Sequence, residues 1–205
     1  MLSLEKFSFN IDDKINLDGL SVTLLQTSVT NIIGKQDLLQ KFFKQLLSLN
    51  SNNLGKISIH NNDIKFTHKN YLNDINYIGT NAGLKKDLTV FENLTYWSSI
   101  YQTEILVETA ISYLQLGNIL GTKISELSKA DYCKFKLFRL IIRPTPIWYL
   151  YQPFKNLEPA YKEKLQNMIE VRAREGGIVI LATDEENLKV INNQINLNYF
   201  THESS

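Results

Sequence analysis

Cysteine and histidine are scarce in this sequence. Among its 205 residues there are one cysteine, Cys133, and three histidines, His60, His68 and His202. A single cysteine excludes an internal disulfide and a metal cage built from thiolates. The three histidines are far apart in the chain, which argues against a cluster of metal ligands. We therefore expect no resident metal centre built from histidine and cysteine.

The sequence also lacks long apolar runs and an excess of charge of either sign. It carries 22 Lys and Arg against 21 Asp and Glu, and its basic residues are dispersed, which predicts no nucleic-acid-binding stripe. The uncharged apolar stretches are too short to span a membrane. Glu5 and Asp12 fall where a signal peptide needs an apolar core. We expect a single domain, 1–205, in a cytosol-like compartment.

Short β-rich runs alternate with helical patterns along most of the chain. Strands are predicted at SFNI, LSVTLLQ, SVTNII, GKISI, INYIG, IWYLY, GGIVILAT and INLNYF. Apolar residues at three- and four-residue spacing predict helices over about 37–49, 89–101, 107–116, 130–142, 159–174 and 184–191. This order predicts an α/β fold with a mainly parallel sheet and an N-terminal antiparallel β part.

One segment has fewer glycines than its pattern requires. The stretch NIIGKQDLLQKFF, from Asn31 to Phe43, passes from the end of a strand through Gly34 and Lys35 into a helical pattern. Strand, glycine and helix in this order are how a phosphate-binding loop begins. Such a loop needs further glycines so that its backbone N–H groups can turn towards the phosphates. The segment therefore suggests either a nucleotide site or the remnant of one.

Several fragments, in order and over nearly the whole chain, resemble the ATP-binding subunits of ABC transporters. NYIGTNAGLKKDLTVFENLTYWSSIY is similar to the region after the Q-loop of that family. ELSKADYCKFKLFRLIIRPTPIWYLYQPFKNLEPA is similar to the signature motif, its helix, the Walker B strand and the D-loop, and GGIVILATD to the strand before the switch histidine. Within the family, the sequence is most similar to the small ATP-binding subunit of the haem exporter of cytochrome c maturation. The resemblance implies a P-loop NTPase-like fold, a helical subdomain at about 82–142, and ATP and Mg²⁺ as cofactors.

The family's phosphate-binding motif, GxxGxGK[ST], aligns with this sequence in two ways. In the first alignment Gly34 is the first glycine. The later glycines then become Asp37 and Leu39, and the lysine position becomes Gln40 or Lys41. An acidic residue beside a triphosphate adds electrostatic repulsion.

The second alignment places GKQDLL on the family's GK[ST][ST]LL. It keeps Gly34 and Lys35, but it puts Gln36 where a hydroxyl should bind magnesium. Both alignments lose glycines of the loop, and both stay open at this point. The candidate nucleotide-binding residues are Gly34, Lys35 and Lys41.

The other nucleotide motifs also depart from the family pattern. Tyr151 and Gln152 replace the Walker B aspartate, which organises magnesium, and the glutamate, which activates the attacking water. Asp184 replaces the switch histidine. The signature motif keeps Leu127 and Ser128 but continues as KAD in place of GGQ. These departures imply that ATP binding and hydrolysis are impaired or lost, and they leave open whether the chain is an enzyme.

Each candidate residue also has a purely structural explanation. Lys35 and Lys41 are also explained as solvated lysines near a helix start. Asp184 is also explained as an acidic residue that complements a helix dipole. Phe7 or Phe9, one of which falls where the family stacks adenine, is also explained by packing in the core.

The resemblance further implies partners and a location. In the family, the region corresponding to 82–101 docks onto an integral membrane subunit, and two ATP-binding subunits pair. We assign docking to Phe91, Glu92, Tyr96 and Trp97. The chain is expected at the cytoplasmic, or organelle-matrix, face of an inner membrane, as a homodimer or paired with another ATP-binding subunit.

The resemblance is consistent with two different functions. The first is an ATP-binding subunit of a complex like the haem exporter, with impaired activity. The second is a non-catalytic scaffold or assembly subunit of the same complex. A third hypothesis is an unrelated α/β binding module. The fragments LTVFENL and GGIVILAT argue against it.

Overall fold

Two five-stranded sheets form the framework of the protein. The computed structural model describes residues 1–12, 15–47, 54–63, 71–80, 83–185 and 188–203. The antiparallel sheet has the order β10-β2-β1-β4-β5 and contains β1 (Leu2–Asn10), β2 (Ile15–Leu24), β4 (Leu54–Ile59), β5 (Asn62–Asp63) and β10 (Thr201–Glu203). The parallel sheet has the order β6-β7-β8-β3-β9 and contains β3 (Ser28–Ile33), β6 (Ile75–Ile78), β7 (Ile147–Tyr151), β8 (Ile178–Ala182) and β9 (Asn193–Asn196). The predicted α/β fold, with a parallel sheet and an N-terminal antiparallel part, is confirmed.

Residues 71–73 are helical, and six longer α-helices accompany the sheets within the described ranges. They are α1 (Gln36–Leu47), α2 (Val90–Tyr101), α3 (Val107–Leu114), α4 (Lys129–Phe135), α5 (Phe138–Ile142) and α6 (Pro159–Arg174). Helices α2 to α5 lie between β6 and β7, inside the range predicted for a helical subdomain, although Ala82 at its start and His68 before it lie outside the described residues. In the part of the chain that is described, no helix is long and apolar enough to cross a membrane.

The parallel sheet separates two hydrophobic cores. Successive side chains of a strand point to opposite faces, so Tyr149 and Tyr151 of β7 join one core while Trp148 and Leu150 join the other. Helix α1 covers the tyrosine face with the apolar stripe predicted from its spacing, Leu38, Leu39, Phe42, Phe43 and Leu46. The packing of α1 on this face brings its N-terminus to the carboxyl edge of the sheet.

The single helix predicted over 130–142 is wrong, because two short helices occupy that range. Helix α4 ends at Phe135 and α5 begins at Phe138. Between them, the N–H of Leu137 donates to the carbonyl of Lys134, three residues back. All six residues from 134 to 139 are buried, which one face of a straight helix cannot achieve. Burial on all sides therefore favours the break.

The helix predicted over 184–191 is also wrong in its described residues, since Asp184, Glu185 and 188–191 are not helical. Thr183 does accept a hydrogen bond from the N–H of Glu185 (3.1 Å), but this closes a turn and caps no helix. Asn192 then exchanges hydrogen bonds with the backbone of Val29 in β3. This pairing draws the segment back to the sheet edge.

The last predicted strand, INLNYF, is shorter than expected. Strand β9 ends at Asn196, and a short 3₁₀ helix spans Leu197–Phe200. The side-chain oxygen of Asn196 accepts from the N–H of Asn198 (3.0 Å), a local bond by which asparagine favours a turn over a strand. The buried side chain of Leu197 then packs into the core.

Candidate functional site

The carboxyl ends of β3, β7 and β8 meet at one edge of the parallel sheet. In open α/β sheets this edge is where ligands bind. A cavity of about 930 Å³ opens there. Its lining includes Gly34 and Gln36 before and within α1, Gln152 and Lys155 after β7, and Asp184 and Glu185 after β8. Much of the remaining lining is amide-bearing, with Asn31, Asn192, Asn193 and Gln194.

The connection from β3 to α1 is only two residues long. Strand β3 ends at Ile33 and α1 begins at Gln36, so Gly34 and Lys35 alone join them. Gly34 is half-buried, and a Cβ there would lie 3.2 Å from Cδ2 of Leu38. Lys35 has an exposed side chain, and its carbonyl accepts from the N–H of Leu39. Positions 36–41, where the first alignment places the rest of the loop, are helical.

The end of β7 presents a buried tyrosine followed by a glutamine. Tyr151 is 2% exposed, its hydroxyl has no hydrogen-bond partner among the described residues, and its ring lies 6.1 Å from that of Phe43. Gln152 adopts a left-handed backbone, with φ 47°, and its N–H donates to the carbonyl of Ala182 (2.7 Å). The end of this strand therefore offers no carboxylate.

Two interactions hold the end of β8 in place. The Asn31 side chain donates to the carbonyl of Thr183 and accepts from its N–H, both at 3.2 Å, which ties β3 to β8. Glu185 forms a salt bridge with Lys162 of α6, with Nζ to Oε2 at 2.7 Å. Asp184 lies exposed between these contacts. Sequence reasoning missed Asn31 and Lys162, for which the linear pattern offers no signal.

A second cavity, of about 580 Å³, lies on a different face of α1. Asp37, Gln40, Lys41 and Lys44 line it together with Ile11, Leu47, Tyr77, Thr80 and Tyr151. Burial, and secondarily the nearby Tyr151, raise the pKa of Tyr77. The ammonium of Lys41 donates to the carbonyls of Asn10 (3.2 Å) and Ile11, so it fastens α1 to the hairpin between β1 and β2.

The structure therefore divides the predicted nucleotide residues between the two cavities. Gly34, Gln152 and Asp184 line the larger one. Lys41 and Tyr151 line the smaller one. Phe7 and Phe9 are 1% and 3% exposed, which agrees with packing in the core and leaves no face for adenine.

The residues of the signature position begin a helix. Leu127 is half-buried. Ser128 caps the N-terminus of α4, since its hydroxyl accepts from the N–H of Asp131 (3.0 Å) and donates to the Asp131 carboxylate (2.6 Å). The hydrogen bond from Ser128 lowers the pKa of Asp131. Neither residue lines the larger or the smaller cavity.

The four residues assigned to partner docking differ in exposure. Phe91 and Tyr96 of α2 are 47% and 40% exposed. Glu92 completes a capping box with Thr89, whose N–H and hydroxyl donate to its carboxylate and lower its pKa. Trp97 is half-buried. Phe91 and Tyr96 thus present apolar surface to solvent, although the Tyr96 ring also packs edge-on against Trp97, with 5.3 Å between ring centres.

Comparison with known proteins gives consistent matches along the chain. The family model for ABC transporters matches residues 17–155. The cytochrome c biogenesis ATP-binding export protein CcmA of Rickettsia bellii is 35% identical, and the match covers 91% of this chain and 94% of that protein. The CcmA of Wolbachia pipientis is 32% identical, with 88% of each chain covered.

Solved structures agree with this fold. A dimeric bacterial ABC transporter cassette has a TM-score of 0.79 at 15% identity and covers 99% of this chain and 98% of its own. An ATP-binding subunit of an ABC transporter has a TM-score of 0.78 at 18% identity, and the match covers 89% of this chain and 79% of that chain.

Proposed function

The chain belongs to the ABC transporter family, and from this premise we propose that it is a peripheral subunit of a membrane complex resembling the haem exporter of cytochrome c biogenesis. Its own ATP binding and hydrolysis are impaired or lost. Its role is then that of a non-catalytic scaffold, and any ATP-driven work falls to another ATP-binding subunit.

The observation that carries this proposal is the two-residue connection between β3 and α1. A phosphate-binding loop surrounds phosphates with several inward-pointing backbone N–H groups and a lysine. Gly34 and Lys35 are too few residues to make that cradle, and the Lys35 side chain is exposed. The Lys41 ammonium, the other candidate, is engaged by backbone carbonyls.

The chemistry of the cavity supports the same proposal. Among the described lining residues of the larger cavity, Lys155 supplies the one ammonium, Asp184 supplies a carboxylate, and the carboxylate of Glu185 is paired with Lys162. The lining therefore offers no excess of positive charge to attract a polyanion such as ATP. Magnesium prefers carboxylate ligands, and Tyr151 and Gln152 supply none. Gln152 can orient a water by hydrogen bonding, but an amide cannot act as a general base.

The test is equilibrium binding of labelled ATP to the purified full-length chain, with and without magnesium. A phosphate-free nucleoside serves as the control for binding through the base and sugar alone. We expect no saturable, magnesium-dependent binding up to millimolar ATP. Micromolar binding that requires magnesium would overturn the loss of ATP use.

Docking onto a membrane partner is the second part of the proposal. Phe91 and Tyr96, with Ile100 at 51% exposure on the same helix, leave apolar side chains on the surface of α2, as protein interfaces do. The double variant Phe91→Asp, Tyr96→Asp should lose co-purification with the multi-span subunit of the complex. Ile105→Asp, at an 89% exposed apolar residue outside α2, should retain it. Equal loss in both variants, or in neither, would contradict the assignment.

A further inference from the structure

A third cavity, of about 440 Å³, carries two arginines and has no role in the proposed function. It is lined by Leu47, Leu72, Asn73, Ile75, Tyr77, Gly83, Arg139 and Arg143. It shares no lining residue with the larger cavity at the sheet edge. Its volume falls within the range of small-molecule sites.

The two arginines are held rigidly by aromatic rings. Arg139 lies in α5, and Arg143 follows the last residue of this helix, about one turn further on. Its guanidinium is 4.5 Å from the ring centre of Trp97, and it donates to the hydroxyl of Tyr101 (2.8 Å). The Arg143 guanidinium is 4.9 Å from the ring of Tyr101 and donates to the carbonyl of Leu72 (2.9 Å). Stacked guanidinium groups with fixed orientation are suited to bidentate recognition.

The described part of the cavity wall carries two arginines and no carboxylate. None of the described lining residues is acidic. Burial lowers the pKa of Arg139, the neighbouring Tyr101 raises it by a smaller amount, and the positive charge of Arg143 lowers it. An anion placed between the two groups would relieve this repulsion.

We propose that this cavity is an oxyanion site, in which a carboxylate or phosphate group is held between Arg139 and Arg143. The oxyanion belongs either to a small free molecule or to an acidic side chain of a bound protein. Both sources present the same chemistry to the guanidinium groups. The site does not depend on ATP use at the sheet edge, so either proposal can fail without the other.

The indole that packs on Arg139 allows direct measurement, because the chain has only two tryptophans, Trp97 and Trp148. Trp148 is 4% exposed in the core. In the full-length Trp148→Phe variant, Trp97 is therefore the sole indole reporter and lies against Arg139. This variant is titrated with inorganic phosphate, with succinate and with a glutamate-rich peptide, against chloride at constant ionic strength. We expect a saturable change in Trp97 emission.

Substitution of Arg143 decides the assignment. Arg143→Gln should weaken binding at least tenfold, and Arg143→Lys, which keeps the charge but loses the fork, should weaken it less. The matched control is Arg174→Gln, which makes the same charge change at a side chain 74% exposed and outside the cavity, and it should leave affinity unchanged. The lysine variant also decides the question if the glutamine variant does not fold.

The titration arms separate the two sources of the oxyanion. Saturation by phosphate or succinate that requires Arg143 supports a free small anion. Saturation by the peptide alone, again lost in the Arg143 variants, supports an acidic side chain of a partner. The proposal is overturned if no anion saturates the signal, or if Arg174→Gln weakens binding as much as Arg143→Gln.

Discussion

Replacing Tyr151 by aspartate is expected to destabilise the protein by about 3–5 kcal/mol and to restore no magnesium-dependent ATP hydrolysis. This substitution returns the family's Walker B aspartate to its position. The destabilisation arises because Tyr151 is 2% exposed and packs against Phe43. The variant would leave a cavity and place a carboxylate in an apolar core. Urea unfolding and an ATPase assay measure the two outcomes.

Tyr151→Phe is the matched control, because it removes only the hydroxyl. That hydroxyl is buried and makes no hydrogen bond within the described part of the chain, so its loss should change the free energy of unfolding by less than about 1 kcal/mol, in either direction. The contrast separates the ring, which fills the core, from the polar atom. A Tyr151→Asp variant that is as stable as the parent and hydrolyses ATP with magnesium would refute the structural role of this tyrosine.

The sheet could be predicted from the sequence because its strands carry strong local signals. IWYLY and IVILA are β-rich apolar runs, and every residue of β7 and β8 is buried. The stripe of α1 and the proline that begins α6 define those helices almost to the residue. Each of these signals lies within one element, so no knowledge of its neighbours is needed.

The failures lie where a distant contact overrides the local pattern. Residues 184–191 have a helical composition, but Lys162 binds Glu185 and the backbone of Val29 holds Asn192. The break between α4 and α5 follows from burial on all sides of 134–139, which only the folded environment imposes.

The candidate site was predictable in its place but not in its arrangement. The motif positions locate the edge of the sheet, yet Gly34 and Lys41 line different cavities because α1 begins only two residues after β3. The pairing of Arg139 and Arg143 over Trp97 and Tyr101 was missed, because two basic residues four apart usually indicate a solvated helix face. Only the packing of α5 against α2 turns them into the wall of a cavity.

A buried pair of tyrosines is expected to lower the free energy of unfolding strongly in alkaline solution. The Tyr71 hydroxyl donates to the carbonyl of Leu46 (2.6 Å) and lies 2.9 Å from the hydroxyl of Tyr149. Burial raises the pKa of Tyr71 and of Tyr149 well above the usual value, because a phenolate is poorly solvated in the core. This network joins the C-terminal turn of α1 to β7.

The free energy of unfolding is therefore expected to fall as pH rises above about 10, the pKa of tyrosine in the unfolded chain. Above that pH the unfolded tyrosines lose protons that the folded ones retain, and the unfolded state gains stability. Each such tyrosine contributes about 1.4 kcal/mol per pH unit, so the loss between pH 10 and 12 should be roughly 2–5 kcal/mol. Below pH 10 the pair should contribute no pH dependence.

Tyr149→Phe tests whether this pair causes the alkaline loss. Phenylalanine has no proton to lose, and the variant leaves the bond from Tyr71 to Leu46 in place, so the slope of unfolding free energy against pH should fall by about half. Tyr199→Phe is the control, because that side chain is 80% exposed and should leave the slope unchanged. An identical slope in the parent and in Tyr149→Phe would show that other groups govern the alkaline transition. A reduced slope would show that the alkaline transition depends on the contact between α1 and the sheet. The arrangement of residues at the candidate site should then be lost in the same pH range.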